Sequence, residues 1–279
     1  MGSLQVICIV CSLIASLILP LAFAVAYALR HKKQGIWSAW LLGAAGFFVP
    51  QMLIRIPILN MLGTNAGFLA FTQAHPVLYI LALAFTAGLF ELAGRLAATL
   101  LLRKNLTYRR SLAAGLGHGG IEAILLAGVT CISNLVLFFL IQSVGFDALV
   151  AQTAAAGGDV SYLETIPGAF AATSPATFLL SGFERLLTMA CHAAMSVIVC
   201  YSVYRKRILT GALVCLGMHT CIDCVAGINL LVGKGLSQTG AYCIIYILLT
   251  AAAAAAVVIL KTIHSRWDRE QEVSYAPQE

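Results

Sequence analysis

Residues 4–30 read LQVICIVCSLIASLILPLAFAVAYALR, with no charged side chain before Arg30. At about 1.5 Å per residue, a helix of this length crosses the ~30 Å hydrocarbon core of a bilayer with residues to spare. No basic segment precedes the run, and it is longer than the apolar region of a cleaved signal (about 7–15 residues), so a retained first transmembrane helix is expected. The rest of the chain has the same character. Of its 279 residues 61% are apolar and 10% charged, with mean hydropathy +0.93, against about 45–50% and about 25% in soluble domains. A β-barrel would show alternating segments of about ten residues instead of long unbroken apolar runs. The fold class is therefore all-α, a polytopic membrane helical bundle.

Seven helices are expected, at residues 3–29, 37–60, 76–102, 111–142, 176–204, 208–232 and 239–263. Basic clusters follow alternate spans: Arg30 to Lys33, Arg103 to Arg110, Arg205 to Arg207, and Lys261 with Arg266 and Arg269. The remaining connections contain one Lys and no Arg. The positive-inside rule then predicts an outside N-terminus and a cytoplasmic C-terminus. The formal net charge of +6 reflects these loops, and points to membrane lipids as partners and not to nucleic acid. Residues 1–279 read as a single integral membrane domain, with a motif-bearing core at about 76–232 and a cytoplasmic tail at 264–279 that is polar and loose after Trp267. The long external connection 143–175 reads as either a cover or a flexible connector. The nine cysteines fall mostly within spans and read as buried free thiols; Cys221 and Cys224 form a CxxC without a second pair at zinc-finger spacing.

Ionisable residues at membrane depth are the functional signal. A charge at a helix centre costs about 2.5–3.5 kcal/mol even on the lenient insertion scale, so such groups face inward and satisfy one another. Glu91 lies 12 residues before Arg103, Glu122 12 after Arg110, His192 13 before Arg205 and His219 12 after Arg207. All four are thus at about the same depth, roughly 18–20 Å along their helices. Glu91 and Arg95, His118 and Glu122, and His219 and Asp223 are spaced i,i+4, so each pair shares a helix face. Arg95 and His118 fall about one turn nearer the cytoplasm, which makes His118 an accessory residue. Glu184, Arg185 and Arg55 lie nearer the outer side and read as a structural charge cluster. The glycines Gly115, Gly117, Gly119 and Gly120 remove bulk around His118, for a close neighbouring helix in preference to a substrate backbone.

With these residues collected, the chain resembles the polytopic CAAX-protease and bacteriocin-processing (Abi) enzymes and their PrsW-type relatives, and most closely the YhfC-type intramembrane proteases. That superfamily carries Glu-Glu-x-x-x-Arg on one helix, Phe-x-x-x-His or -Glu on the next, and His-x-x-x-Asn/Asp later. Here FELAGR supplies Glu91 and Arg95, HGGIEA supplies His118 and Glu122, ERLLTMACH supplies Glu184, Arg185 and His192, and HTCID supplies His219 and Asp223. Phe90 stands where the first glutamate of the pair would be, and Glu122 where many relatives have His.

The resemblance implies a multi-pass protein of a bacterial cytoplasmic membrane that hydrolyses a peptide bond of a membrane-anchored peptide or protein. Glu91, Glu122, His192 and His219 are the expected catalytic residues, with Arg95, His118, Asp223, Glu184 and Arg185 in support. A glutamic mechanism without a cofactor is preferred, in which a buried Glu activates water with His assistance. Zinc is the rival, held by Glu122, His192 and His219, although the HExxH arrangement is absent. A proton- or ion-coupled transporter and a non-catalytic membrane scaffold are the alternatives outside peptide hydrolysis.

Overall fold

The computed structural model describes residues 2–275. In chain order its helices are α1 (Ser3–Arg30), α2 (Ile36–Leu62), α3 (Ala66–Ala74), α4 (Pro76–Asn105), α5 (Tyr108–Val144), α6 (Phe146–Ala155), α7 (Ser161–Ala172), α8 (Pro175–Tyr204), α9 (Ile208–Leu231) and α10 (Gln238–Tyr275). All but α3, α6 and α7 are long and apolar enough to cross a membrane, and these seven coincide with the expected spans to within a few residues at most ends. There is no β-strand among the described residues. The helical ladder widens to π-turns at Ile14–Ile18 and Phe48–Arg55. Each lies beside or around a proline, Pro20 or Pro50, whose missing N–H breaks the regular i→i−4 pattern.

The chain divides into two compact units. One comprises the segment through Leu21 with Ala123–Leu186. There the connection 143–175 is not an irregular loop: it folds into α6 and α7, separated from their neighbours by turns at Gly145 and Gly157 with φ +90° and +75°. Gln5 Nε2 donates to the carbonyls of Phe170 (2.8 Å) and Thr173 (3.0 Å), tying the start of α1 to the end of α7. Gly182 lets α8 approach α1, since a Cβ there would lie 2.6 Å from Ser12 Cα.

The other unit, Ala22–Glu122 with Leu187–Glu279, has two apolar centres. Leu92, Cys191, Ala194, Met195, Val199, Cys215, Ala253 and Ala256 join α4, α8, α9 and α10. Ala28, Ile36, Ala39, Leu102, Ala113 and Ala114 join α1, α2, α4 and α5. Both are rich in alanine because helices in lipid gain from backbone proximity, not from burying large apolar groups that lipid would solvate equally well. The run Ala251–Ala256 serves this end. Leu41, Leu53, Leu101, Leu213 and Ile247 point outward, where hydrocarbon suits them.

Close approach is carried furthest by glycine. A Cβ on Gly94 would sit 1.8 Å from the carbonyl oxygen of Gly46, and one on Gly117 2.0 Å from that of Trp40. Gly115 and Gly119 meet Ala193 and His192 in the same way. Gly115, Gly117 and Gly119 of the GLGHGG stretch thus serve helix packing, as expected.

The polar tail differs from expectation. Helix α10 continues to Tyr275, and residues 276–279 lie outside the described chain. Trp267 is fully buried, its ring 5.2 Å from that of Tyr201 and 5.1 Å from that of Tyr204. Tyr201 Oη donates to Glu270 Oε1 at 2.8 Å, and Arg205 pairs with the same carboxylate. A polar run was read as loose because its one large apolar anchor is a single residue. Replacing Trp267 with Ala is expected to destabilise this unit by about 3–5 kcal/mol. Thermal melting of the detergent-solubilised protein checks this, and an unchanged midpoint would show that α10 does not depend on the aromatic cluster.

Candidate active site

Glu91 stands at the middle of the unit, on α4, with 3% of its surface exposed. A buried carboxylate needs donors, and it has them from four helices. Gln51 Nε2 on α2 donates to Oε1 at 2.7 Å. On Oε2 converge Arg95 Nη1 of α4 at 3.2 Å, His118 Nε2 of α5 at 3.0 Å and His219 Nε2 of α9 at 2.8 Å. His192 Nδ1 of α8 is 3.6 Å from the same oxygen. Glu91 and Arg95 meet because they are one helical turn apart.

His192 links this cluster to the second carboxylate. Arg95 Nη2 approaches its Nδ1 at 2.5 Å. A guanidinium only donates, so Nδ1 is the acceptor and the ring proton resides on Nε2. That nitrogen lies 2.8 Å from Glu122 Oε2. One arginine therefore holds Glu91 in place and fixes the tautomer of His192. His219 carries an analogous link outward: Asp223 Oδ2 is 3.4 Å from its Nδ1, and the Asp223 side chain is 38% exposed. The edge of Phe47 packs against the His118 ring at 5.5 Å.

The structure thus brings Glu91, Arg95, His118, Glu122, His192, His219 and Asp223 together. His118, placed by depth counting a turn away, reaches Glu91 directly. Counting residues assumes equal rise along helices perpendicular to the membrane and does not register their tilts or the reach of an imidazole. Glu184 and Arg185 belong to the other unit, where they pair with each other. Arg55, expected with them, instead donates through Nη1 to Gln51 Oε1 at 3.2 Å and through Nη2 to the Leu83 carbonyl at 2.7 Å.

Gln51 was missed. It is uncharged, so a survey of ionisable groups passes over it, yet it is a buried amide in an apolar span next to Pro50. Its orientation is dictated from both sides: the carboxylate of Glu91 requires the NH₂ and the guanidinium of Arg55 requires the oxygen. Gln51 and Arg55, both within the π-turn at Phe48–Arg55, lie on the face toward α4.

This arrangement defines a class: a polytopic helical membrane protein whose buried carboxylate and imidazole cluster fits a catalytic site. The chain belongs to the YhfC intramembrane metalloprotease family, whose family model matches residues 15–251. It is similar to the uncharacterized membrane protein YhfC of Bacillus subtilis (strain 168), being 31% identical over 193 residues that cover 68% of this chain and 72% of that protein. No solved structure matches the chain. It is a multi-pass bacterial membrane protein.

The donor set suits a metal. Glu91, His118 and His192 each offer a ligand atom, and these atoms lie within 4.8 Å of one another, all buried. A carboxylate with two imidazoles is a set that catalytic zinc sites use. His192 is shared with the expected trio, while Glu91 and His118 stand in place of Glu122 and His219. Substitution of Gln51 tests how firmly Glu91 is held. Gln51→Ala removes a hydrogen bond to a buried charge and is expected to destabilise the protein by about 1.5–3 kcal/mol. Gln51→Glu sets a second carboxylate against the first and should destabilise more. Melting curves in detergent measure both, and a Gln51→Glu protein as stable as the parent would refute the contact.

Proposed function

We propose that this protein is an intramembrane endopeptidase that hydrolyses a peptide bond of a membrane-anchored protein or peptide, with Glu91, His118 and His192 as ligands of a zinc-like divalent ion. The observation that carries this reading is the convergence of imidazoles from different helices on one buried carboxylate oxygen. The family's description as a metalloprotease supports it. Such an ion, when bound, supplies Lewis-acid activation of water and of the scissile carbonyl.

The remaining residues have separate tasks in this reading. Glu122 accepts the proton of the attacking water and later returns it to the leaving amine. It suits that role better than Glu91, which in this reading is a ligand of the ion. His219, with Asp223 at its Nδ1 side, donates from Nε2 to Glu91 and keeps that carboxylate in place. Arg95 sets a positive charge beside Glu91. The expected topology, with basic loops in the cytoplasm, sets this chemistry near the middle of the membrane.

A second reading has one specific observation in its favour. Arg95 lies within hydrogen-bonding distance of both Glu91 and His192, and a guanidinium supplies the positive charge that a metal otherwise would. In this glutamic mechanism Glu122 activates water with His192, and no ion takes part.

Purified protein in liposomes with a membrane-anchored peptide separates the two. Glu122→Gln is expected to lower turnover by about 10²–10⁴-fold without lowering the melting temperature; full turnover would remove Glu122 as the base. Elemental analysis is expected to find stoichiometric metal in the parent and its loss in His118→Gln. Cleavage that persists in metal-free protein would establish the glutamic reading, and solute or proton flux without cleavage would refute both.

A further inference from the structure

At one end of the second unit lies a cavity of about 1380 Å³, formed where three connections meet: α1 to α2, α4 to α5, and α8 to α9. Lys33, Arg103, Lys104, Arg110 and Lys206 line it, and no Asp or Glu does. None of the five pairs with a carboxylate among the described residues. By contrast Arg205, one residue before Lys206 but outside the cavity, has its acidic partner in Glu270. Alternation of basic loops would account for the charges being on one side of a membrane. It does not account for their gathering around one concavity with all neutralising groups kept out.

Two further observations single out the cavity. Lys33 and Lys206 are the only residues other than glycine with positive φ among those described, at +67° and +56°. This left-handed backbone is disfavoured for a lysine, and both instances fall on the cavity wall. Arg110 is held from two sides, donating to the Asn105 carbonyl at 3.1 Å and to Ser38 Oγ at 3.3 Å. These two bonds fix the guanidinium at the cavity wall.

We infer that this cavity binds the phosphate headgroup of an anionic phospholipid. The phosphate chemistry follows from the guanidinium and ammonium donors, which suit phosphate oxygens. The lipid source follows from the apolar part of the same wall: Leu100 and Ile208 both line the cavity and remain exposed. Free phosphate has no use for such surface, whereas a headgroup entering from the membrane brings acyl chains that cover it. Basic pockets between transmembrane helices take lipids of this class, including cardiolipin with its two phosphates.

The test uses the full-length protein, delipidated in detergent and titrated with cardiolipin or phosphatidylcholine while native mass spectrometry counts bound lipid. One variant carries Arg103→Gln, Lys104→Gln and Lys206→Gln. A control with the same charge loss outside the cavity carries Lys32→Gln, Lys261→Gln and Arg266→Gln. All three cavity positions are exposed, and unchanged melting in the absence of added lipid verifies folding. Cardiolipin is expected to bind the parent in preference to phosphatidylcholine, and the cavity variant to lose about tenfold or more in affinity, with the control within about twofold. Equal losses in both variants would reduce the effect to diffuse surface charge and overturn the site. Inorganic pyrophosphate is the remaining arm: failure to displace cardiolipin supports the lipid source, and displacement at comparable concentration overturns it in favour of a free phosphate.

Discussion

Everything in the second unit is arranged so that a carboxylate can be buried at membrane depth. An isolated charge there costs several kcal/mol even after the surroundings relax. Glu91 escapes that cost only because α2, α4, α5 and α9 each deliver a donor to it. The donors in turn need fixed positions. Gln51 is set by Arg55, and Arg95 is held between Glu91 and His192. The polar network is therefore a packing constraint as much as a chemical one, since a shift of any one helix strands a buried polar group.

That constraint explains the glycines. Bringing four helices within reach of one side chain requires backbones closer than most side chains permit. The contacts of Gly94 with Gly46 and of Gly117 with Trp40 supply this closeness on either side of α2. Gly119 does the same for α8, where His192 Cβ lies 2.9 Å from the place a Cβ would take. In HGGIE the histidine and glutamate take part in the polar cluster and Gly119 supplies the proximity to His192. The stretch encodes the site and the packing that makes the site affordable.

Much of this was legible in the sequence, for reasons that also mark where legibility ends. Spans are fixed by hydropathy and length, properties of consecutive residues, and all seven were found. The i,i+4 pairs Glu91–Arg95 and His219–Asp223 follow from helix geometry and do touch. What failed depends on the relation between helices. His118 was set a turn from the cluster because depth counting has no tilt in it. Gln51 was invisible because an amide in a greasy span has no formal charge. Glu184 and Arg185 follow the same motif as His192, yet they pair with each other in the other unit. The 143–175 connection reads as either a cover or a flexible connector, since its two helices are too short to register by span length.

The two glutamates differ in a way that composition could not reveal. Both were candidates for activating water when only depth and residue type were known. In three dimensions Glu91 receives four donors and is 3% exposed, whereas Glu122, at 9%, faces the Nε2 of His192. A base must have a free lone pair and a route for the proton it takes. Glu91 is saturated by its donors, which suits an anchor. Glu122 adjoins an imidazole whose other nitrogen is occupied by Arg95, so that imidazole can pass a proton only through the side that faces Glu122. Phe90 then has a physical reading. A second glutamate beside Glu91 would bring another negative charge next to a carboxylate whose donors are already committed, and in the proposed reading the proton-transferring carboxylate is carried on α5 instead.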